Sequence, residues 1–417
     1  MATPAISRQR TIKRQPSAAR LEPDLKAARR LVLELMAIPG TSGQEAAVAE
    51  CIAQKLREAG AAVSAIRTDQ AHLKSPLKGQ TGNLIFLLPG TRRAPRRLLM
   101  AHMDTVPLCV GSKPVVRGRA VQSGNPASGL GADDRAGCAV VLTAALEILR
   151  RGLDHPPLAC FWPVQEEVGL FGAHYGQLAL LGRPQLAFNW DGGVAEKITI
   201  GATGAYRLTI DIHGRASHAG AAPERGVSAV TIAGLAIADL ANGGWLGDVR
   251  QPGGRQGTRR GTSNIGIIHG GAATNVVTDH VQLKAEARSH DPAFRRMIVK
   301  AIEKAFRTAA ASVRSADGTA GKVTINSRLD YESFHLPDDE PCVVAAEAAA
   351  QAVGLEPLRY VSNGGLDANW MTARGIPTVT LGCGQQDVHT LDERLNLDAF
   401  DHACRMALLL ATGTEAS

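Results

Sequence analysis

Between Arg97 and Thr105 the chain reads R-L-L-M-A-H-M-D-T, an apolar run that closes on an imidazole and a carboxylate two residues apart. A short, nearly uncharged stretch of this kind fits a strand buried on both faces, as parallel sheets require. Open α/β sheets place their sites at the carboxyl ends of such strands, so His102 would be delivered to that edge. Two further runs repeat the pattern: 157–164 ends in Gln165-Glu166-Glu167, and 186–190 ends in Asp191-Gly192-Gly193. The fold must therefore bring several polar strand ends together.

Elements around these runs alternate. Apolar residues at helical spacing predict a helix over 24–37, stopped by Ile38-Pro39-Gly40, and Ser42-Gly43-Gln44-Glu45 reads as a capping box opening a second helix to about residue 60. Strands are expected at 62–68, 83–88 and 97–102, then a helix from the Gly131-Ala132-Asp133-Asp134-Arg135-Ala136-Gly137 loop to about 150, the strand 157–164, a short helix over 171–181 and the strand 186–190. This alternation predicts an α/β fold with a doubly wound, mostly parallel sheet.

The pattern then changes. Residues 205–214 alternate as an exposed antiparallel strand would, 227–240 is helical, 263–268 and 280–288 are strands, 292–313 is a long helix and 322–328 a last strand. That order, strand-helix-strand-strand-helix-strand, predicts an inserted ferredoxin-like α+β domain. From about 341 the first pattern resumes, with a helix at 342–353, a strand at 377–381 and a closing helix at 397–411. The expected organisation is a basic tail at 1–22, a catalytic domain from 23–201 and 332–417, and a lid and dimerisation domain at 202–331.

The net charge of +7 comes largely from Arg8, Arg10, Lys13, Arg14 and Arg20 in the tail and Arg250, Arg255, Arg259 and Arg260 in one loop, leaving the body close to neutral. This distribution reads as solvated tail and loop, and no nucleic-acid partner is expected. Seven cysteines without a CxxC pair read as reduced thiols. With no apolar stretch approaching the roughly 18 residues of a membrane span, and no signal-peptide core, no membrane association is expected and the expected location is the cytoplasm.

His102, Asp133, Glu166-Glu167, Asp191 and His389 each follow a strand or sit in a loop at a helix start. Imidazoles and carboxylates without thiolate suit one or two zinc ions, with cobalt or manganese as substitutes. Singly, each has a plainer reading: a hydrogen-bonded histidine, a solvated Glu pair, an Asp-Gly turn, an Asp that caps a helix. Their order along the chain changes that.

The succession H-x-D-T, G-A-D-D-R-A-G, E-E-x-G, D-G-G, the insertion and then H-T-x-x-E-R resembles the co-catalytic zinc peptidase and aminoacylase family, which includes peptidase T, glutamate carboxypeptidases and succinyl-diaminopimelate desuccinylase. The likeness runs from about residue 25 to the C-terminus. It implies that His102 and Asp191 bind one zinc, that Glu167 and His389 bind the other, and that Asp133, often followed by a cis peptide, bridges both. Asp134 would be structural, Asp104 would orient the His102 ring, and Glu166 would be the general base for a hydroxide shared between the zincs.

Further motifs extend the resemblance. The stretch from Gly214 to Gly226 resembles the family's lid motif, implying that His218 donates to the oxyanion, often in the partner subunit's site. Asn275 and Arg288 match positions that contact the substrate backbone or carboxylate, and Gly364 and Gly365 lie in a substrate-binding loop, Asn363-Gly364-Gly365-Leu366-Asp367-Ala368-Asn369. Ser362-Asn363 stands where peptidase T has an Arg before the glycine pair, Arg135 replaces the usual Lys, and Glu393 matches a supporting position. The resemblance implies a homodimer paired through the lid, acting on small peptides. The alternatives are an aminoacylase, carbamoylase or carboxypeptidase acting on N-substituted amino acids such as an N-acyl amino acid, and a catalytically silent peptide-binding relative.

Overall fold

The protein is described from a computed structural model that covers residues 21–253 and 257–413. A nine-stranded sheet runs in the order Ile66–Thr68, Leu84–Leu88, Leu158–Trp162, Arg97–Met100, Leu186–Trp190, Thr378–Leu381, Lys197–Ala202, Phe334–His335, with Leu358–Ser362 also paired to Lys197–Ala202. The four strands from Leu158–Trp162 to Thr378–Leu381 are mutually parallel, and antiparallel pairs flank them. Alternation along one strand explains the two layers. Leu99 packs with the helices Leu25–Ala37, Ala46–Glu58, Ala132–Arg151, Pro341–Ala352 and Leu397–Thr412, whereas Leu98 and Met100 face a smaller cluster with Ala173, Leu181 and Met371. Every residue of Arg97–Met100 after Arg97 is therefore fully buried.

The insertion forms a five-stranded antiparallel sheet, ordered Gly247–Pro252, Thr258–Gly270, His280–Ser289, Gly204–His213, Lys322–Tyr331. Leu208, Ile210 and Ile212 alternate onto the helices Ala229–Asn242 and Pro292–Ser312, which cover one face. Four of the strands keep the expected ferredoxin-like order, and the fifth, Gly247–Pro252, extends the edge. The chain leaves the large sheet through Gly204 and returns through Tyr331, and these ends are paired, Ala205 opposite Tyr331.

Several local expectations are corrected. Ser42 and Glu45 do not form a capping box: the Ser42 hydroxyl donates to Asp104 Oδ2 at 2.6 Å, and Glu45 Oε1 accepts the N–H groups of Gly43 and Gln165. The expected strand at 62–68 is a 3-10 turn, Val63–Ala65, followed by only Ile66–Thr68. The helix over 171–181 breaks at Gly176 into Phe171–Tyr175 and Leu178–Leu181. Gly204–His213 is flanked by strands on both edges and buries alternate residues, so it is an internal strand. Leu21 is buried and Glu22 pairs with Arg405 at 2.7 Å. Residues 1–20 and Arg255 lie outside the described residues. No helix among the described residues is long and apolar enough to cross a membrane.

Candidate metal centre

His102 follows the strand Arg97–Met100 by two residues, Asp191 directly follows Leu186–Trp190, and Asp133 opens the helix Ala132–Arg151. That helix comes close because residue 137 is glycine: a Cβ there would collide with the Trp190 carbonyl and the Asp134 carboxylate. The peptide between Asp133 and Asp134 is cis, as the resemblance implies. Asp134 is fully buried, its oxygens accepting the His102 N–H, the Gly137 N–H and the Gln385 amide, which makes it a bracket for the loop.

The two oxygens of Asp133 face two imidazoles. Oδ1 lies 3.2 Å from His102 Nε2 and Oδ2 lies 3.2 Å from His389 Nε2. Asp191 Oδ1 is 4.0 Å from the same His102 nitrogen, and Glu167 is 3.0 Å from His389 Nε2. Two triads result, His102-Asp133-Asp191 and Asp133-Glu167-His389, each with its donor atoms within 4.8 Å of one another and with Asp133 common to both. The far side of His102 is also held, since Nδ1 sits 3.1 Å from the Asp104 carbonyl and 3.4 Å from its carboxylate. Glu393 fixes the loop from the other direction, its carboxylate accepting the N–H groups of Leu130, Gly131 and Asp133.

The charges tell what this arrangement lacks. Burial and the neighbouring Asp133 push Asp191 up to about 7, and burial drives Glu166 well above the usual carboxylate range. Hydrogen bonds to Asp133 and Glu167 raise His389 to about 10, whereas His102 is raised by Asp104 and Asp133 against the opposing effect of burial. Carboxylates this crowded, with two imidazoles as their only hydrogen-bonding cations among the described residues, call for further positive charge. A nitrogen and oxygen donor set converging on two points fits divalent zinc, cobalt or manganese.

Glu166 is 9% exposed, and its carboxylate has no hydrogen bond or ion pair among the described residues. The remaining predicted residues are not gathered here. His218 is exposed and its Nδ1 accepts the N–H groups of Gly220 and Ala221 in its own turn. Asn275 is exposed, and its carbonyl accepts the Ala219 N–H. Arg288 forms a two-pronged ion pair with Glu286 at 3.0 and 2.9 Å, so its guanidinium already has a partner. Gly364 donates its N–H to Ser362 Oγ, and Gly365 packs flat on the Tyr331 ring, where a Cβ would not fit. Sequence reasoning missed the Ser42 and Glu45 contacts and the buried Asp367 carboxylate, which has no hydrogen-bond partner among the described residues. Asp367 followed the glycine pair, which was the available signal.

An α/β sheet whose central strands deliver histidine and carboxylate to one edge, with a lid inserted, defines the class as a metallopeptidase-type hydrolase of peptide or amide bonds. The chain belongs to Peptidase family M20/M25/M40, whose profile matches residues 98–412. It is 32% identical over 380 residues to the uncharacterized protein YqjE of Bacillus subtilis, covering 91% of this chain and 95% of that one. A tripeptidase from Staphylococcus aureus superposes with a TM-score of 0.83 at 30% identity, over 94% of this chain and 98% of its own. The aminopeptidase PepT from Bacillus cereus gives a TM-score of 0.79 at 29% identity, over 94% and 99%.

Proposed function

We propose that the protein is a di-metal peptidase of the peptidase T type that cleaves an amide bond in small peptides. The observation that carries this reading is the division of labour between neighbours: Glu167 is engaged with His389, while Glu166 is buried and free. His102, Asp133 and Asp191 would hold one zinc, and Asp133, Glu167 and His389 the other. Such a pair of ions supplies Lewis-acid polarisation of the scissile carbonyl and a more acidic water.

Glu166 then takes the proton of the attacking water and passes it to the leaving amine. Asp104 holds the His102 ring and, through two backbone N–H groups, the Glu166-Glu167 pair. His218, with Nε2 free of the bonds that occupy Nδ1, would donate to the oxyanion of a partner subunit's site, which requires a homodimer paired through residues 202–331. Arg288 would meet a substrate carboxylate only by exchanging Glu286 for it, with Asn275 and the Gly364-Gly365 backbone completing the cradle. Residues 23–201 and 332–417 would form the catalytic domain. Seven free thiols, six of them buried, fit the reducing cytoplasm.

A second reading, hydrolysis of N-acyl or N-carbamoyl amino acids, is favoured by Ser362-Asn363, which carries no cation before the glycine pair. The test is hydrolysis of a panel of dipeptides, tripeptides and N-acyl amino acids by zinc- or cobalt-loaded protein, with E166Q as control. Chelator-sensitive release of amino acid from peptides is expected, and no hydrolysis of any member at full metal occupancy would overturn the assignment.

A further inference from the structure

The two helices of the insertion cover one face of its five-stranded sheet, and the other face carries a pocket of about 620 Å³. Strand register arranges the pocket in two rows. Asn264, Glu286, Arg207 and Arg328 stand opposite one another on successive strands, and so do Ile267, Lys284, Thr209 and Asn326.

The cations here outnumber the carboxylates that pair with them. Glu286 is taken by Arg288 through two hydrogen bonds. The buried Asp330 is shared, its two oxygens lying 2.7 Å from Arg207 Nε and 3.2 Å from Arg328 Nη2, so each guanidinium keeps other N–H donors free. Lys284, exposed on an internal strand, has no ion pair among the described residues, and the next carboxylate along this face, Asp211, is engaged by Gln282 and His280. Two guanidiniums on one carboxylate and an ammonium on none leave the pocket net positive.

Contacts tie this pocket to the metal-bearing edge. Asp330 Oδ1 lies 3.5 Å from where a Cβ on Gly169 would stand, and the Arg328 guanidinium is 5.8 Å from the centre of the Phe171 ring. The Gly169 N–H donates to the Glu166 carbonyl at 3.0 Å, a turn that holds the two Cα atoms within about 7 Å. The near row is therefore a few residues of extended peptide from Glu166, at about 3.3 Å per residue.

We propose that this pocket selects acidic peptides, Arg207, Lys284 and Arg328 receiving a substrate side-chain carboxylate one or two residues from the bond that is cut. The inference rests on the peptide-hydrolysing reading above and names its substrate class. A carboxylate supplies the acceptor that Lys284 lacks and takes up the donors that Asp330 leaves free on the two arginines, whereas an amide of the same shape brings no charge.

The test is competition between Ala-Ala-Glu and Ala-Ala-Gln in one tube with metal-loaded enzyme, since the ratio of their kcat/KM values is independent of how much enzyme is active. Wild type should favour the glutamate peptide roughly 3- to 10-fold. K284Q should bring the ratio toward 1, and K284E should lower it further. A wild-type ratio of 1, or one that K284Q and K284E leave unchanged, would overturn the proposal. Wild type alone gives a second reading should the variants fail to fold: rising ionic strength should shrink the ratio, and a preference indifferent to salt would mean that charge is not what is read. Hydrolysis of both peptides without preference sinks only this inference, whereas hydrolysis of no peptide at all sinks the reading beneath it.

Discussion

The Asp104 carboxylate holds Glu166 by its backbone, Oδ1 accepting the Glu166 N–H at 2.9 Å while Oδ2 accepts that of Glu167 at 3.2 Å. The group that steadies the His102 ring thus also sets the position of the proposed base. D104N keeps the shape but replaces one acceptor oxygen with an N–H group facing another donor. We expect a loss of about 1–3 kcal/mol in stability and a roughly 10- to 100-fold fall in kcat. Denaturant unfolding and initial rates on trialanine check this, and wild-type values for both would contradict it.

E166Q removes the proton acceptor and leaves both triads intact. Activity should fall about 10²- to 10⁴-fold, with metal stoichiometry unchanged by atomic absorption. A variant that lost metal in parallel with activity would place Glu166 among the ligands instead.

Because Asp133 belongs to both triads and His389 to one, their substitutions should differ in kind. D133N should weaken both metal positions, whereas H389A should leave one ion bound, as equilibrium dialysis with zinc would read out. Zinc should also raise the unfolding midpoint of wild type, by about 2.7 kcal/mol of stability at a free concentration 100 times the Kd. Chelator should reverse it, and a midpoint insensitive to zinc would argue against a structural fit.

Glu45 offers a pH signature of its own. Burial first, and then the Asp104 charge, raise it from 4.5 to about 7. Between those values the unfolded chain is deprotonated and the folded one protonated, so stability present below 4.5 is lost as pH rises to about 7 and is level beyond. E45Q should abolish that slope. The wild-type-minus-variant difference in unfolding free energy should change by about 3 kcal/mol across the window, and a flat difference would refute the assignment.

What was legible in the sequence were features whose cause is local. The run Leu186–Trp190 declares a doubly buried strand, and the residue after it, Asp191, falls at the sheet edge as a consequence of where the strand ends. Helices with a continuous apolar stripe, such as Leu25–Ala37, were equally plain. Less legible were Lys197–Ala202 and Leu358–Ser362, short strands whose pairing partners lie far along the chain. The capping motif at Ser42 failed for a related reason: its hydroxyl had a stronger use on Asp104, sixty-two residues away. Asp367 stayed hidden because an unpartnered carboxylate is a property of its surroundings.

The pairing of Ala205 with Tyr331 means that the chain departs for the insertion and returns from it side by side. To the large sheet, everything between is topologically no more than a long hairpin loop. A short turn joining Gly204 to Tyr331 should therefore leave the edge with the candidate metal site foldable, and lids of other sizes could be transplanted onto the same two stumps. A scaffold of this design can change what it admits to its chemistry without rebuilding the chemistry itself.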